Sequence, residues 1–466
     1  MKKWMAVLAV LLICSMMITM VYGIDSSPSV GTSESVSDTT PACTISPNQI
    51  ISETAVLMEA DSGQVLYDKQ MNERMYPASL TKIMTAILAL ENGEMDNVLT
   101  VDQEILDDVY SYGLSTSHIA LTVGERISLQ DALYAALLES ANDATALIAK
   151  FIGGTLDHFV EMMNQKAAEI GATHTHFVNV HGLHSDNHYT TAYDLALMMR
   201  YALSLPEFEK IISTAQYTMA PTNNQESERY FWNQNKMIQP SYYYNEDTVG
   251  GKLGWTEEAT NTMAALGERN GRRLICVLLK STAASAKYKD CELLFNYGFE
   301  NFQRVEIDVS DDIPKGVDIQ DENGDLCGDV TISSPPKIHY LIHNHLTAND
   351  IKIDINVPEH YTLGQPMSAS FTVGLKDWVD CMPNEPLTTE LTTKSNVNTK
   401  VMSVTKEPKT KGPNVFLLVG IGILVFLGIA VAALFVIRAV IRRGVRQRYA
   451  ISRRNVHFDR QIRRRL

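Results

Sequence analysis

A serine attacks a carbonyl only when a neighbouring group takes its proton. Ser79-Leu80-Thr81-Lys82 supplies such a pair, because residues three apart on a helix share a face. The residues that follow, Ile83, Met84, Ala86, Ile87 and Leu88, are apolar and press Lys82 toward a core. Desolvation lowers the pKa of an amine, so a lysine placed there is a usable base. A helix opening at Ser79 also sets its positive end against negative charge developing nearby. The same spacing equally describes an N-cap serine with a lysine snorkelling to solvent. What lifts the pair above that reading is the presence of two further elements downstream, Ser140-Ala141-Asn142 and Lys252-Leu253-Gly254.

These elements need a frame. The apolar runs 55–59 and 64–67, around Asp61-Ser62-Gly63, read as a β-hairpin. Helical periodicity dominates from Pro77 to about Leu205, with its clearest stretches at 79–91, 128–152, 156–170 and 192–202. Strand-like runs return at 247–253, 262–267 and 273–279, and a helix is expected over 287–297. Strands at both ends of a helical block predict one α+β domain, an antiparallel sheet with helices on both sides. Beyond Phe302, alternating runs at 304–309, 328–332, 351–357 and 367–373 between Asp, Asn, Gly and Pro turns predict a small all-β domain.

In this order the three elements resemble the triplet of the penicillin-binding protein and serine β-lactamase superfamily. The likeness to the low-molecular-weight D-alanyl-D-alanine carboxypeptidases goes further. It runs through Pro77-Ala-Ser-Leu-Thr-Lys-Ile-Met-Thr85, Glu139-Ser-Ala-Asn-Asp-Ala144, and Phe177-Val-Asn-Val-His-Gly-Leu183 with His188 and Thr191-Ala-Tyr-Asp-Leu195. It continues through Gly250-Gly-Lys-Leu-Gly-Trp-Thr256, Asn270-Gly-Arg-Arg-Leu-Ile275 and Tyr297-Gly-Phe-Glu-Asn-Phe302, so that it covers about residues 50–302. The resemblance implies a β-lactamase/transpeptidase-like fold. It also implies acyl-enzyme chemistry on D-Ala-D-Ala ends of peptidoglycan stem peptides, β-lactam antibiotics as covalent inhibitors, and no metal or organic cofactor. It implies Ser79 as the acylated residue, Lys82 as its base and Ser140 as proton relay to the leaving D-alanine. Asn142 would hydrogen-bond the substrate amide and Lys252 would sit near Ser140 and the substrate carboxylate. The N–H groups of Ser79 and Trp255 would form the oxyanion hole, and Gly254, Trp255 and Thr256 would line the substrate.

This chain departs from that family in three places. The third element is usually Lys-Thr-Gly, and Leu253 has no hydroxyl for the terminal carboxylate; Thr260 stands where glycine is common, and Lys287 where arginine often is. One lost hydrogen bond to a charged group is worth about 1.5–3 kcal/mol, or about 10- to 150-fold in specificity constant. Leu253 therefore keeps open a homologue that binds peptidoglycan or penicillin without efficient turnover. A D,D-endopeptidase would use the same residues. A β-lactamase needs a deacylating Glu-x-x-x-Asn element, and none is evident between Asn142 and Gly250. A purely structural or adhesive exported protein would not explain three ordered elements. His181, His184 and His188 have a spacing that suits a metal but sit in a loop without Cys or HExxH.

Length and charge place the site. With 466 residues, 45% of them hydrophobic, the chain is globular and holds more than one domain. The formal charge is −14, but residues 438–466 carry eleven Arg against one Asp, so the body sums to about −24 and argues against nucleic acid as a partner. Lys2 and Lys3 followed by an apolar run and Val21-Tyr22-Gly23 read as a signal peptide over 1–23. A Ser/Thr/Pro/Gly linker over 24–47 leads to the catalytic domain at 48–302, a β domain at 303–384 and a polar tether at 385–414. The 23 uncharged residues of 415–437 suit a single transmembrane helix, and the Arg-rich tail 438–466 sets the C-terminus in the cytoplasm and the catalytic domain outside the cell membrane. The five cysteines left after signal removal, Cys43, Cys276, Cys291, Cys327 and Cys381, show no framework spacing, and Cys276 reads as a core thiol.

Overall fold

The structure is a computed structural model and describes residues 45–397, apart from 112, 114–115, 334–336, 380 and 382–385. The expected signal peptide, membrane helix and basic tail lie outside the described residues, as do most of the linker and part of the tether. Among the described residues no helix is long and apolar enough to cross a membrane.

A hairpin of β1 (Thr54–Glu59) and β2 (Val65–Lys69) opens the fold, and a tight 3-10 turn, Ala78–Thr81, leads into α1 (Lys82–Asn92). The helical block follows: β3 (Val98–Thr100), α2 (Gln103–Ser111), β4 (Arg126–Ser128), α3 (Leu129–Leu138), α4 (Asn142–Gly153), α5 (Leu156–Ile170), α6 (Ala192–Ala202) and α7 (Pro206–Ser213). A short ribbon of β5 (Gln216–Met219) and β6 (Arg229–Trp232) precedes the long strands β7 (Thr248–Thr256), β8 (Thr260–Arg269) and β9 (Arg272–Ser281), and α8 (Ala286–Glu300) closes the block. The main sheet has the order β2-β1-β9-β8-β7, with every neighbouring pair antiparallel.

β9 shows why both faces of that sheet are covered. Leu274, Cys276 and Leu278 join one apolar cluster with Cys291, Leu294 and Phe295 of α8, while Ile275, Val277 and Leu279 join the other with α1 and α3–α6. Side chains alternate across a strand, so a strand buried on both sides reads as an unbroken apolar run.

Two helix boundaries differ from the periodicity, and both differences lie at site residues. Periodicity predicts one helix over 128–152, but the chain breaks between α3 and α4, with Ser140 at φ 60°. Both helices turn their apolar faces to one core, so the pattern runs through the break. The helix expected from Ser79 begins instead at Lys82, after a 3-10 turn entered through Ala78 at φ 50°. Gly182 explains the tightness there: a Cβ on it would stand 1.9 Å from the Ala78 carbonyl oxygen.

Beyond Phe302 the described residues form strands and one 3-10 turn. The strands are β10 (Phe302–Ile307), β11 (Gly316–Gln320), β12 (Leu326–Ser333), β13 (Ile338–His343), β14 (Ile351–Asn356), β15 (His360–Thr362), β16 (Ser370–Leu375), β17 (Leu387–Glu390) and β18 (Thr392–Val397). The chain divides into two compact units. One runs through Lys315 and also takes up Ser333–Val357 and Ser368–Thr392; the other takes Gly316–Ile332, Pro358–Met367 and the chain from Thr393. The first holds the main sheet together with the β10-β13 and β14-β16-β17 sheets, and the second is built on β15-β11-β12-β18. Cys276, Cys291 and Cys327 are free thiols, and Cys381 is disulfide-bonded.

Candidate active site

Ser79 lies in the 3-10 turn and Lys82 is the first residue of α1, so the pair spans the junction of two helix types. Lys82 Nζ is fully enclosed and stands 3.2 Å from Ser79 Oγ, 2.7 Å from Asn142 Oδ1 and 2.8 Å from the His181 carbonyl oxygen. An ammonium has three donors, whereas a neutral amine has two donors and a lone pair. The amine form keeps its bonds to Asn142 and His181 and turns its lone pair to Ser79. Burial holds Lys82 well below the usual lysine range; the charge of Lys252 pushes it the same way, and Asp143 partly offsets them. The structure thus sets an amine whose hold on a proton is weakened in contact with a hydroxyl.

Several contacts fix this turn. Thr81 Oγ1 donates to the Ala78 carbonyl at 2.8 Å and lies 2.8 Å from His188 Nε2. With its one proton committed, the threonine accepts from Nε2, while His188 Nδ1 accepts the N–H of Val178 at 3.2 Å. His188 is therefore a neutral brace, and burial pulls it down to about 3. Across the turn, Thr262 Oγ1 of β8 donates to the Pro77 carbonyl at 3.1 Å.

The second element sits at the break between α3 and α4. Ser140 is buried, and Asn142 opens α4 with its backbone N–H on the Ser117 carbonyl at 2.8 Å. Asp143 accepts the N–H groups of Ile119 and Leu121, both at 3.1 Å, and so ties the 117–121 segment to the head of α4. Because Asn142 Oδ1 is taken by Lys82, its amide nitrogen is the atom left to donate to a ligand.

β7 delivers the third element. Lys252 Nζ donates to Ser140 Oγ at 3.1 Å and to the Leu253 carbonyl at 2.8 Å. Burial, and then the charge of Lys287, draw Lys252 down to about 7. Lys287 donates to Asn261 Oδ1 at 3.2 Å and is itself drawn down to about 8 by burial and by Lys236. Gly254 presses against the nucleophile: a Cβ there would lie 2.9 Å from Ser79 N and 2.4 Å from Thr262 Oγ1. Leu253 packs into the apolar cluster shared with Tyr288 and Leu294 of α8. Trp255 is 66% exposed, and the Thr256 hydroxyl accepts the Ala259 N–H at 3.0 Å in the β7–β8 turn.

The eight residues singled out from sequence thus fall into three groups. Lys82 touches both Ser79 and Asn142; Ser140 and Lys252 form a second pair; Gly254 packs against the Ser79 backbone. Trp255 and Thr256 continue along β7 toward the hairpin turn. Sequence reasoning missed the His181 carbonyl as an acceptor for Lys82, the Asp143 clamp, and the Thr81–His188 brace. The three histidines weighed as metal ligands have other neighbours. His181 Nε2 is 3.5 Å from Asp108, His184 meets Tyr76 edge-on, and His188 holds Thr81. No group of three metal-ligating side chains occurs among the described residues.

Comparison with known proteins follows these residues. The peptidase family described as D-alanyl-D-alanine carboxypeptidase matches residues 41–283, more than half of the chain. The D-alanyl-D-alanine carboxypeptidase DacF of Bacillus subtilis is 31% identical over 253 residues, covering 54% of this chain and 63% of its own length. The chain thus spans less than two thirds of that relative. A crystal structure of a mutant Streptomyces DD-transpeptidase is 28% identical with a TM-score of 0.50, covering 54% of this chain and 98% of that one. Penicillin binding protein 5 from Haemophilus influenzae has a TM-score of 0.60 at 23% identity, over 76% of this chain and all of that one, and so shares the fold. The α+β, transpeptidase-like architecture and the family match agree, and the chain belongs to the D-alanyl-D-alanine carboxypeptidase family of serine peptidases.

Proposed function

We propose that the chain is an exported, membrane-anchored serine carboxypeptidase that removes the terminal D-alanine from peptidoglycan pentapeptides. The observation that carries this reading is the enclosed Lys82 amine, held by Asn142 and His181 with its third direction on Ser79 Oγ. Ser79 attacks the penultimate carbonyl as its proton passes to Lys82. The oxyanion rests on the N–H groups of Ser79 and Trp255, each worth about 3–4 kcal/mol in comparable acyl transfers. Lys82 passes that proton by way of Ser140, beside Lys252, to the leaving D-alanine nitrogen, and the C–N bond breaks to leave an ester on Ser79 with Lys82 neutral once more. Water then attacks that ester with Lys82 again as base, releasing the shortened peptide. Asn142 orients the substrate amide, while Lys252, Gly254 and Thr256 line the path of the terminal residue. β-Lactams acylate the same serine.

In this reading residues 48–302 are the catalytic domain, 303–384 a small all-β domain and 385–414 a tether. Residues 415–437 cross the membrane, with 438–466 in the cytoplasm, behind a signal at 1–23 and linker at 24–47. Support comes from the uncharged stretch followed at once by Arg438, Arg442, Arg443, Arg446 and Arg448. Purified protein should release D-alanine from a D-Ala-D-Ala pentapeptide, and Ser79→Ala should abolish both release and labelling by fluorescent penicillin. Labelling of Ser79 without any D-alanine release would sink the carboxypeptidase reading.

A further inference from the structure

The surface next to the cleft carries aromatic rings that no core uses. Tyr230 and Trp232 are two apart on β6, hence on one face of the strand, and each is 55% exposed, while Phe231 between them is buried. Their partners across the ribbon are Thr218 and Gln216 on β5, both exposed. The outer face is therefore a single line of two rings, about 7 Å apart by strand geometry, bordered by a hydroxyl and an amide. The Tyr230 hydroxyl donates to Glu228 at 2.6 Å, which holds that ring in place.

This line is attached to the site. The backbone N–H of Trp232 donates to Glu139 Oε1 at 2.6 Å, and Gln234 Nε2 donates to the Glu139 carbonyl at 3.1 Å. Glu139 directly precedes Ser140, so the backbone of Trp232 is tied to the residue before the proton relay, and Tyr230 lies two residues earlier on the same strand.

We propose that the outer face of the β5–β6 ribbon is a saccharide-binding strip for the amino-sugar strand that bears the stem peptide. The proposal rests on the carboxypeptidase reading and names the part of the polymer read outside the cleft. Each extended peptide residue spans about 3.3 Å, so the four residues ahead of the scissile bond place the sugar about 13 Å from Ser79. A sugar ring has an apolar C–H face and a polar rim, which a flat ring bordered by amide and hydroxyl groups matches. An anionic bilayer or polyphosphate would need basic residues. Within the ribbon segment 214–234 the exposed charges are Glu226 and Glu228, and the one basic residue, Arg229, is paired with Glu125 at 2.7 Å. A protein partner would need a broad apolar patch, and this strip is one ring wide.

The test compares a free pentapeptide with the same pentapeptide on its disaccharide, using the full chain and Trp232→Ala. The KM for the saccharide-linked substrate should rise ~10-fold at unchanged kcat, while that for the free peptide stays within about two-fold. Equal rises for both substrates, or a rise for neither, overturn the strip. Peptide-free glycan strands give a second readout that needs no turnover. They should retain Ser79→Ala protein and fail to retain the Tyr230→Ala/Trp232→Ala double variant; equal retention of the two, or retention of neither, also overturns it. Strand binding without any D-alanine release would count against the carboxypeptidase reading alone.

Discussion

Lys82 and Lys252 are both enclosed lysines beside a serine, yet their surroundings prepare them for different work. Lys82 meets groups from three separate segments: it donates to the head of α4 and to the 177–191 loop and turns its lone pair to the hydroxyl in the 3-10 turn. Lys252 meets Ser140 and the carbonyl of its own neighbour, and its repelling charge is Lys287 on α8. Burial lowers both: Lys252 is drawn down to about 7, and Lys82, which also feels the charge of Lys252, is held well below the usual lysine range. A base needs a lone pair fixed on the nucleophile; a group that attracts a carboxylate and feeds a relay needs a proton it can still hold. The helical side of the site supplies the first and the strand side the second.

Replacing the base tests that division most severely. Arginine keeps a cation but cannot deprotonate, so Lys82→Arg should lower the rate of Ser79 acylation about 10³-fold, measured with fluorescent penicillin. Retention of a tenth of the wild-type rate would mean that Lys82 acts as a charge like Lys252, and the comparison would collapse.

The strand side predicts a pH effect of smaller size. Lys252 is protonated below about 7 and neutral above it. Attraction of a substrate carboxylate should therefore weaken as pH rises through 7, and kcat/KM, which reports the free enzyme, should fall by up to about tenfold per pH unit. Lys287→Met removes the charge that helps depress Lys252, so this alkaline limb should move to higher pH although the plateau drops. A limb that stays in place would assign it to another group.

Leu253→Thr sharpens the strand side further. Adding a hydroxyl at this position should raise kcat/KM on D-Ala-D-Ala peptides about 10-fold, by one hydrogen bond to a charged carboxylate. The leucine is buried in the apolar cluster that α8 shares, so Tm should fall at the same time. A loss of stability with no gain in turnover would show that this strand reads the carboxylate through Lys252 alone.

What the sequence revealed follows the same division. Ser79 and Lys82 are legible because their contact is local, three residues along one chain direction. The sheet is legible because β9 is apolar on both faces and its neighbours carry matching runs. The acceptor on the His181 carbonyl is not legible, since every residue owns a carbonyl and only the loop's path brings this one to Lys82. The break at Ser140 is masked by α3 and α4 facing one core, and its positive φ leaves no mark in residue type. The ribbon strands β5 and β6 are four residues each, too short for a period to declare itself.

One mark is legible in hindsight. Thr260 opens β8 at φ 51°, pairs with Thr256 across the hairpin, and has a buried hydroxyl without a hydrogen-bond partner among the described residues. A β-branched residue in the left-handed region costs about 1–2 kcal/mol, while glycine there loses about 0.5–1 kcal/mol through chain entropy. Thr260→Gly should therefore stabilise the protein by about 0.5–1 kcal/mol, a Tm rise of about 1–4 °C for a unit of this size. Acylation by penicillin should stay near the wild-type rate, because Lys82 and its acceptors lie on the helical side. A change in acylation without a change in Tm would mean that the strained hairpin, and not β7 alone, sets the position of the Trp255 N–H on which the oxyanion rests.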